Sequence, residues 1–270
     1  MHEANLLYRS STIHYKYTKA GSKLLICWHG YDESSASFAF LEQQLPEFSL
    51  LCIDLPHHGC TEWNENSPIT IQHLIEIINE VRSRVFPGIN TYSLLGFSLG
   101  GRLALTVFQT VPEAVDNIVL LAPDGINTNF WHWFSTRTIV GKRIFRFSIS
   151  NPWWIFSLLK IGNRLGMINQ SVYKFTRYYL QDKRSREFLY KRWICMRKIN
   201  PDRKLIKQAA MHQQIVLKLV YGEYDRIIKH ERAQDFCREL NSNCKLHVLS
   251  CGHQVLQEKN AVFIAGLLQQ

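Results

Sequence analysis

Six short apolar runs, at residues 23–28, 49–53, 92–95, 117–121, 215–220 and 245–249, alternate with segments whose apolar side chains recur every three or four positions. Near-continuous apolarity over four to six residues is the pattern of a strand covered on both faces, as in a parallel sheet. The three-and-four spacing at 69–85, 102–109, 230–240 and 261–268 is that of amphipathic helices. The alternation predicts an α/β chain with a mostly parallel central sheet flanked by helices. Residues 7–17 add an expected antiparallel hairpin or edge strand.

The alternation stops after Leu121. From 127 to 208 the patterns are helical only: Asn151-Pro152 opens a helix ending near Gly162, and helices over 171–180 and 185–198 follow. A helical cap over 127–208, inserted after the sixth strand position, is therefore expected, with a core made of 1–126 and 209–270. Charge changes at the same place. The whole chain carries a formal +10, whereas residues 129–207 hold 18 basic and 3 acidic residues. That segment also holds Trp131, Trp133, Trp153, Trp154 and Trp193. Basic, aromatic-rich helices of this kind attract an anionic substrate, rest weakly on an anionic membrane surface, or serve only as a solvated face. No pattern typical of a nucleic-acid reader is present, so no nucleic-acid partner is expected.

No apolar run approaches the roughly 20 residues that span a bilayer, and the N-terminus lacks an apolar leader core. Seven cysteines form an odd set without a C-x-x-C pair, and Cys27, Cys52 and Cys244 sit in apolar runs as small hydrophobes. A soluble, cytoplasmic chain with free thiols and no structural zinc is expected.

The sequence Gly96-Phe97-Ser98-Leu99-Gly100-Gly101 joins the apolar run at 92–95 to the helix at 102–109. This is the strand–turn–helix setting of a nucleophile elbow. Glycines two places either side of Ser98 remove Cβ atoms that would collide in so tight a turn. A serine hydroxyl needs a base, and the base an orienting acid. Asp225, in Tyr221-Gly222-Glu223-Tyr224-Asp225, and His253, in Ser250-Cys251-Gly252-His253, each follow a strand, so all three loops fall on the carboxyl edge where open α/β sheets bind ligands.

With these motifs the chain resembles the α/β-hydrolase family. His29-Gly30 matches the family's oxyanion H-G, Asp54-Leu55-Pro56-His57-His58-Gly59 its D-x-P-x-H-G turn, Gly222–Asp225 its G-x-x-D and Gly252-His253 its G-H. His57 departs from the usual Gly and is expected to crowd its loop. The resemblance implies Ser98 as nucleophile, His253 as general base and then acid, Asp225 as the orienting carboxylate, and the Leu99 and Tyr31 amides as the oxyanion hole. It implies neither metal nor cofactor.

Asp124, at another strand end, is the rival acid, and Glu223 a lesser one. His29 is read as a structural residue of its loop, His57 and His58 as half of a metal site that nothing completes, and Cys251 as a bystander. The expected activity is cleavage of a carboxylic ester or thioester bearing an apolar acyl or aromatic group, neutral or anionic, through an acyl-enzyme on Ser98. The alternatives are C–C bond hydrolysis or elimination at the same site, and a low-turnover ligand-binding protein on the same fold.

Overall fold

The computed structural model describes residues 1–126, 130–166, 173, 177, 180 and 182–270. Its described residues fall into two compact units, one of 1–127 with 198–270 and one of 128–197.

The first unit is built on one eight-stranded sheet. Its strands are β1 (His2–Tyr8), β2 (Ser11–Tyr17), β3 (Lys23–Trp28), β4 (Phe48–Ile53), β5 (Tyr92–Phe97), β6 (Val115–Leu121), β7 (Leu217–Gly222) and β8 (Cys244–Leu249), in the order β1-β2-β4-β3-β5-β6-β7-β8. β1–β2 and β2–β4 are antiparallel, and every other pairing is parallel. All residues of β4, β5 and β7 are buried, which is why their apolar runs are nearly continuous. The hairpin starts at His2, earlier than the expected 7, and turns at Arg9 with φ 54°. Its polar outer residues hide it from a search for apolar runs.

Strand order fixes where the helices lie. β3 leads to β4 in one direction along the sheet through a 3₁₀ segment, Ser35–Gln44, which the apolar periodicity did not reveal. β4 leads to β5 in the other direction through α1 (Ile71–Val85), and β5 to β6 through α2 (Leu99–Thr110). Right-handed crossovers put α1 and α2 on the face opposite Ser35–Gln44. In the same unit α7 (Arg203–Gln213) and α8 (Glu231–Leu240) continue the α1–α2 row, and α9 (Ala261–Gln269) packs on Ser35–Gln44. The end of α9 is held by the sheet: buried Lys218 of β7 donates from Nζ to the Leu267 carbonyl at 2.6 Å, and Asn117 Nδ2 to that of Leu268 at 3.0 Å. Burial, with Lys245 nearby, moves the Lys218 ammonium below its ordinary pKa.

The second unit contains α3 (Phe130–Arg137), α4 (Ile139–Ser150), α5 (Trp153–Arg164) and α6 (Lys183–Met196). Thr138 and Asp182 cap α4 and α6 with side-chain acceptors. Phe145 lies 5.2 Å from Tyr190 and 5.6 Å from Trp193, ring centre to ring centre, and His132 lies 5.0 Å from Trp193. Arg186, buried, donates to the carbonyls of Ile149 and Leu180 at 2.7 Å. The helix expected over 171–180 lies mostly outside the described residues.

The helical unit ends at Arg197, short of the expected 208. α7 (Arg203–Gln213), capped by Asp202, belongs to the first unit, with Ile206 and Ala210 fully buried beside α2 and α8 (Glu231–Leu240). Helical spacing marks an apolar stripe without saying what the stripe packs on. The expectation of free thiols also needs correction. Cys237 of α8 and Cys244 of β8 are disulfide-bonded, because the turn 241–243 brings their Cα atoms to 5.1 Å.

Candidate active site

Ser98 separates β5 from α2 and holds φ 50°, ψ −112°, a strained conformation for a residue with a Cβ. Three backbone hydrogen bonds keep it there: Ser98 N–H donates to the Leu121 carbonyl at 2.9 Å, and the Ser98 carbonyl accepts from Gly101 at 3.0 Å and from Asp124 at 2.9 Å. The flanking glycines are places of close approach. A Cβ on Gly96 would stand 2.6 Å from the Gly100 carbonyl oxygen, and one on Gly100 would stand 1.9 Å from that of Trp28. Leu99 opens α2, so its N–H lies in the first turn, where amides have no acceptor within the helix.

Opposite Ser98 the chain brings in its distant tail. Ser98 Oγ and His253 Nε2 are 3.1 Å apart, and His253 Nδ1 is 2.7 Å from Asp225 Oδ2. The Asp225 carboxylate, with its side chain fully buried, also accepts at Oδ1 from the amides of Ile227 and Ile228, at 2.8 and 2.9 Å. Three donors hold this buried carboxylate in place. Nδ1–H therefore donates to Asp225, and Nε2 accepts from the serine hydroxyl. The loops carrying acid and imidazole are tied together by Glu223 N–H to the Leu249 carbonyl and Tyr224 N–H to that of Cys251. The spacing is too close for a side chain on Gly222, whose Cβ would meet the Gly252 oxygen at 2.1 Å.

The rival groups are engaged elsewhere. Asp124 pairs with the buried Arg102 guanidinium. Glu223 accepts from Ser250 Oγ at 3.2 Å. Cys251 is buried, which raises its thiol pKa. His29 spans two loops: Leu55 N–H donates to its Nε2 at 3.0 Å, so the ring proton sits on Nδ1 and donates to the Gly30 carbonyl at 2.8 Å. Its ring stacks edge-on to His58, 5.3 Å away, and the Tyr31 ring meets His58 at 5.7 Å. His57 takes φ 63°, the left-handed conformation that favours glycine.

Among the described residues, His14, Asp54 and Cys60 bring ligand atoms within 4.8 Å of one another. The Asp54 carboxylate is already taken up by hydrogen bonds from Ser35 N–H, Cys60 N–H and His14 Nδ1. Burial alone would raise its pKa, but these donors outweigh burial and hold it below the ordinary carboxylate value. The trio fastens the 54–60 turn.

Sequence reasoning overlooked Glu33. Its Oε2 accepts Gly30 N–H at 3.1 Å, and its Oε1 accepts Gln254 Nε2 at 2.7 Å. This carboxylate thus bridges the loop of His29-Gly30-Tyr31 to the residue after His253. No spacing pattern marks it, since Gln254 lies 221 positions further along the chain.

A family model described as the alpha/beta hydrolase fold matches residues 23–260. The uncharacterized hydrolase YugF of Bacillus subtilis is 24% identical over 251 residues, 90% of this chain and 88% of that protein. The 2-succinyl-6-hydroxy-2,4-cyclohexadiene-1-carboxylate synthase of Citrobacter koseri is 34% identical over 94 residues, 34% of this chain and 35% of that protein. The first curated relatives are matched over only about a third of their length, 36% and 35%. A carboxylesterase structure from Nitrososphaera gargenis superposes with a TM-score of 0.68 at 15% identity, over 98% of both chains.

Proposed function

The chain belongs to the α/β-hydrolase family, and on that premise we propose that it is a serine hydrolase cleaving a carboxylic ester or thioester through an acyl-enzyme on Ser98. The observation that carries the reading is the continuous hydrogen-bonded line from Ser98 Oγ through His253 to Asp225, at 3.1 and 2.7 Å, starting from a strained elbow. His253 Nε2 takes the hydroxyl proton as Oγ attacks the acyl carbon, and Asp225 stabilises the imidazolium. The oxyanion of the tetrahedral intermediate falls to the Leu99 and Tyr31 amides, donors of a kind worth about 10²–10³ in rate each. The imidazolium protonates the departing alcohol or thiol. Water, deprotonated by the same nitrogen, then releases the acid and regenerates the serine. His29 has no part in proton transfer, because both ring nitrogens are occupied by the loop it holds.

In this proposal the substrate carries an apolar acyl or aromatic group. The test is labelling of the purified protein by a fluorophosphonate probe. The expected outcome is modification at Ser98, lost in His253→Ala; an unlabelled wild type overturns the hydrolase reading.

The partial match to the Citrobacter koseri synthase favours a second reading, elimination or C–C bond chemistry with the same Ser and His. A p-nitrophenyl ester and acyl-thioester panel separates the two. An acyl-serine trapped by rapid acid quench supports ester cleavage, whereas proton exchange at a substrate carbon without any acyl-serine supports the second.

A further inference from the structure

Residues 125–181 contain no Asp or Glu and eight Lys or Arg. Within this stretch lies α5, with seven large apolar residues among its twelve: Trp153, Trp154, Ile155, Phe156, Leu158, Leu159 and Ile161. Such a helix normally buries an apolar stripe in its own protein. In α5 no residue is buried; Trp153 is 68% exposed, Ile161 54%, and Leu165, just past its end, 67%. At 100° per residue these three share one side of the helix with Lys160 and Arg164, both exposed.

α4, joined to α5 by Asn151-Pro152, repeats the arrangement. Val140, Ile144 and Phe147, at i, i+4 and i+7, are 60%, 40% and 54% exposed, with exposed Arg143 and Arg146 beside them.

We propose that α4 and α5 form a docking face for an anionic lipid bilayer. Apolar side chains on this face enter the boundary between headgroups and acyl chains. Trp153 settles at that boundary, and the flanking lysine and arginine stems extend to lipid phosphates. Two twelve-residue helices, about 18 Å long each, are too short to cross the hydrocarbon. Among the described residues no helix is long and apolar enough to do so, so the face lies on the surface. Charge complementarity chooses the occupant: the stretch free of carboxylates meets no repulsion from anionic headgroups. Interleaved cations and apolar residues fit a fluid interface better than a shaped protein groove, where charged residues are depleted.

The test is co-sedimentation of the full chain with phosphatidylcholine vesicles, with and without about one quarter phosphatidylglycerol. Binding to the anionic vesicles is expected to exceed binding to neutral ones by about tenfold and to weaken with salt. Ile161→Ser with Leu165→Ser, and separately Lys160→Gln with Arg164→Gln, should each lower it by about tenfold. Unchanged circular dichroism checks that these exposed positions leave folding intact. Equal or absent binding to both vesicles, variants that bind like wild type, or binding to an acidic polypeptide in place of vesicles would overturn the proposal. Repeating the assay with Ser98→Ala separates it from the hydrolase reading, since docking needs no turnover.

Discussion

The carboxyl edge of the sheet and the helices α4 and α5 satisfy their side chains in opposite ways. At the sheet edge the polar groups are paired internally: Asp225 has three donors, His29 uses both ring nitrogens, and Glu33 bridges two loops. Backbones there approach so closely that Gly96, Gly100 and Gly222 tolerate no Cβ. α4 and α5 instead present apolar side chains outward among arginines and lysines. The first region is specified by geometry and is intolerant of single atoms. The second is specified by composition, so many residues could trade places along it with little effect on the fold.

The sharpest break of that contrast is at Ser98. Ser98→Ala or His253→Ala should lower ester turnover on the order of 10⁴- to 10⁶-fold while leaving the thermal midpoint nearly unmoved; a smaller loss would show that proton transfer does not run along this line. Next comes Gly100→Ala, whose Cβ would stand 1.9 Å from a backbone oxygen of β3. Urea unfolding should register about 3 kcal/mol or more of destabilisation.

The Glu33 bridge sharpens the comparison at a subtler level. Glu33→Gln sets two amide groups against each other and should reduce kcat about tenfold with KM less affected. Adding Gln254→Glu re-creates a donor–acceptor match and should recover most of the loss; a double variant no better than the single one would reduce Glu33 to a surface residue.

Acid titration probes Asp54. Its folded pKa lies below the unfolded value of about 3.9, so its contribution to stability is complete above that pH and fades as pH falls through the folded value. Below about pH 4 the wild-type melting temperature should therefore drop more steeply than that of Asp54→Asn. The smallest effect belongs to the helices: Leu165→Ser should change stability by no more than about 0.5 kcal/mol.

Much of the architecture was readable from local pattern. Parallel strands buried on both faces show as apolar runs, and six of the eight strands were found in this way. The start of the hairpin is obscured by polar outer residues, and the 3₁₀ segment Ser35–Gln44 leaves no mark because its apolar residues follow neither period. For the candidate site, Ser98, Asp225 and His253 were legible because each follows a strand in a recognisable turn. Glu33 was not, since its partners come from loops far apart in sequence.

What the chain decided by itself is the order of its elements, the glycines its tightest turns require, and the gathering of cations and tryptophans into one stretch. These follow from backbone sterics and side-chain chemistry acting within a few residues. Tertiary structure alone decided that Asp124 pairs with Arg102, that Cys237 meets Cys244, and that α7 packs with the sheet unit. Each of those outcomes depends on which distant surfaces are brought together, and partner choice across space leaves no period in the sequence.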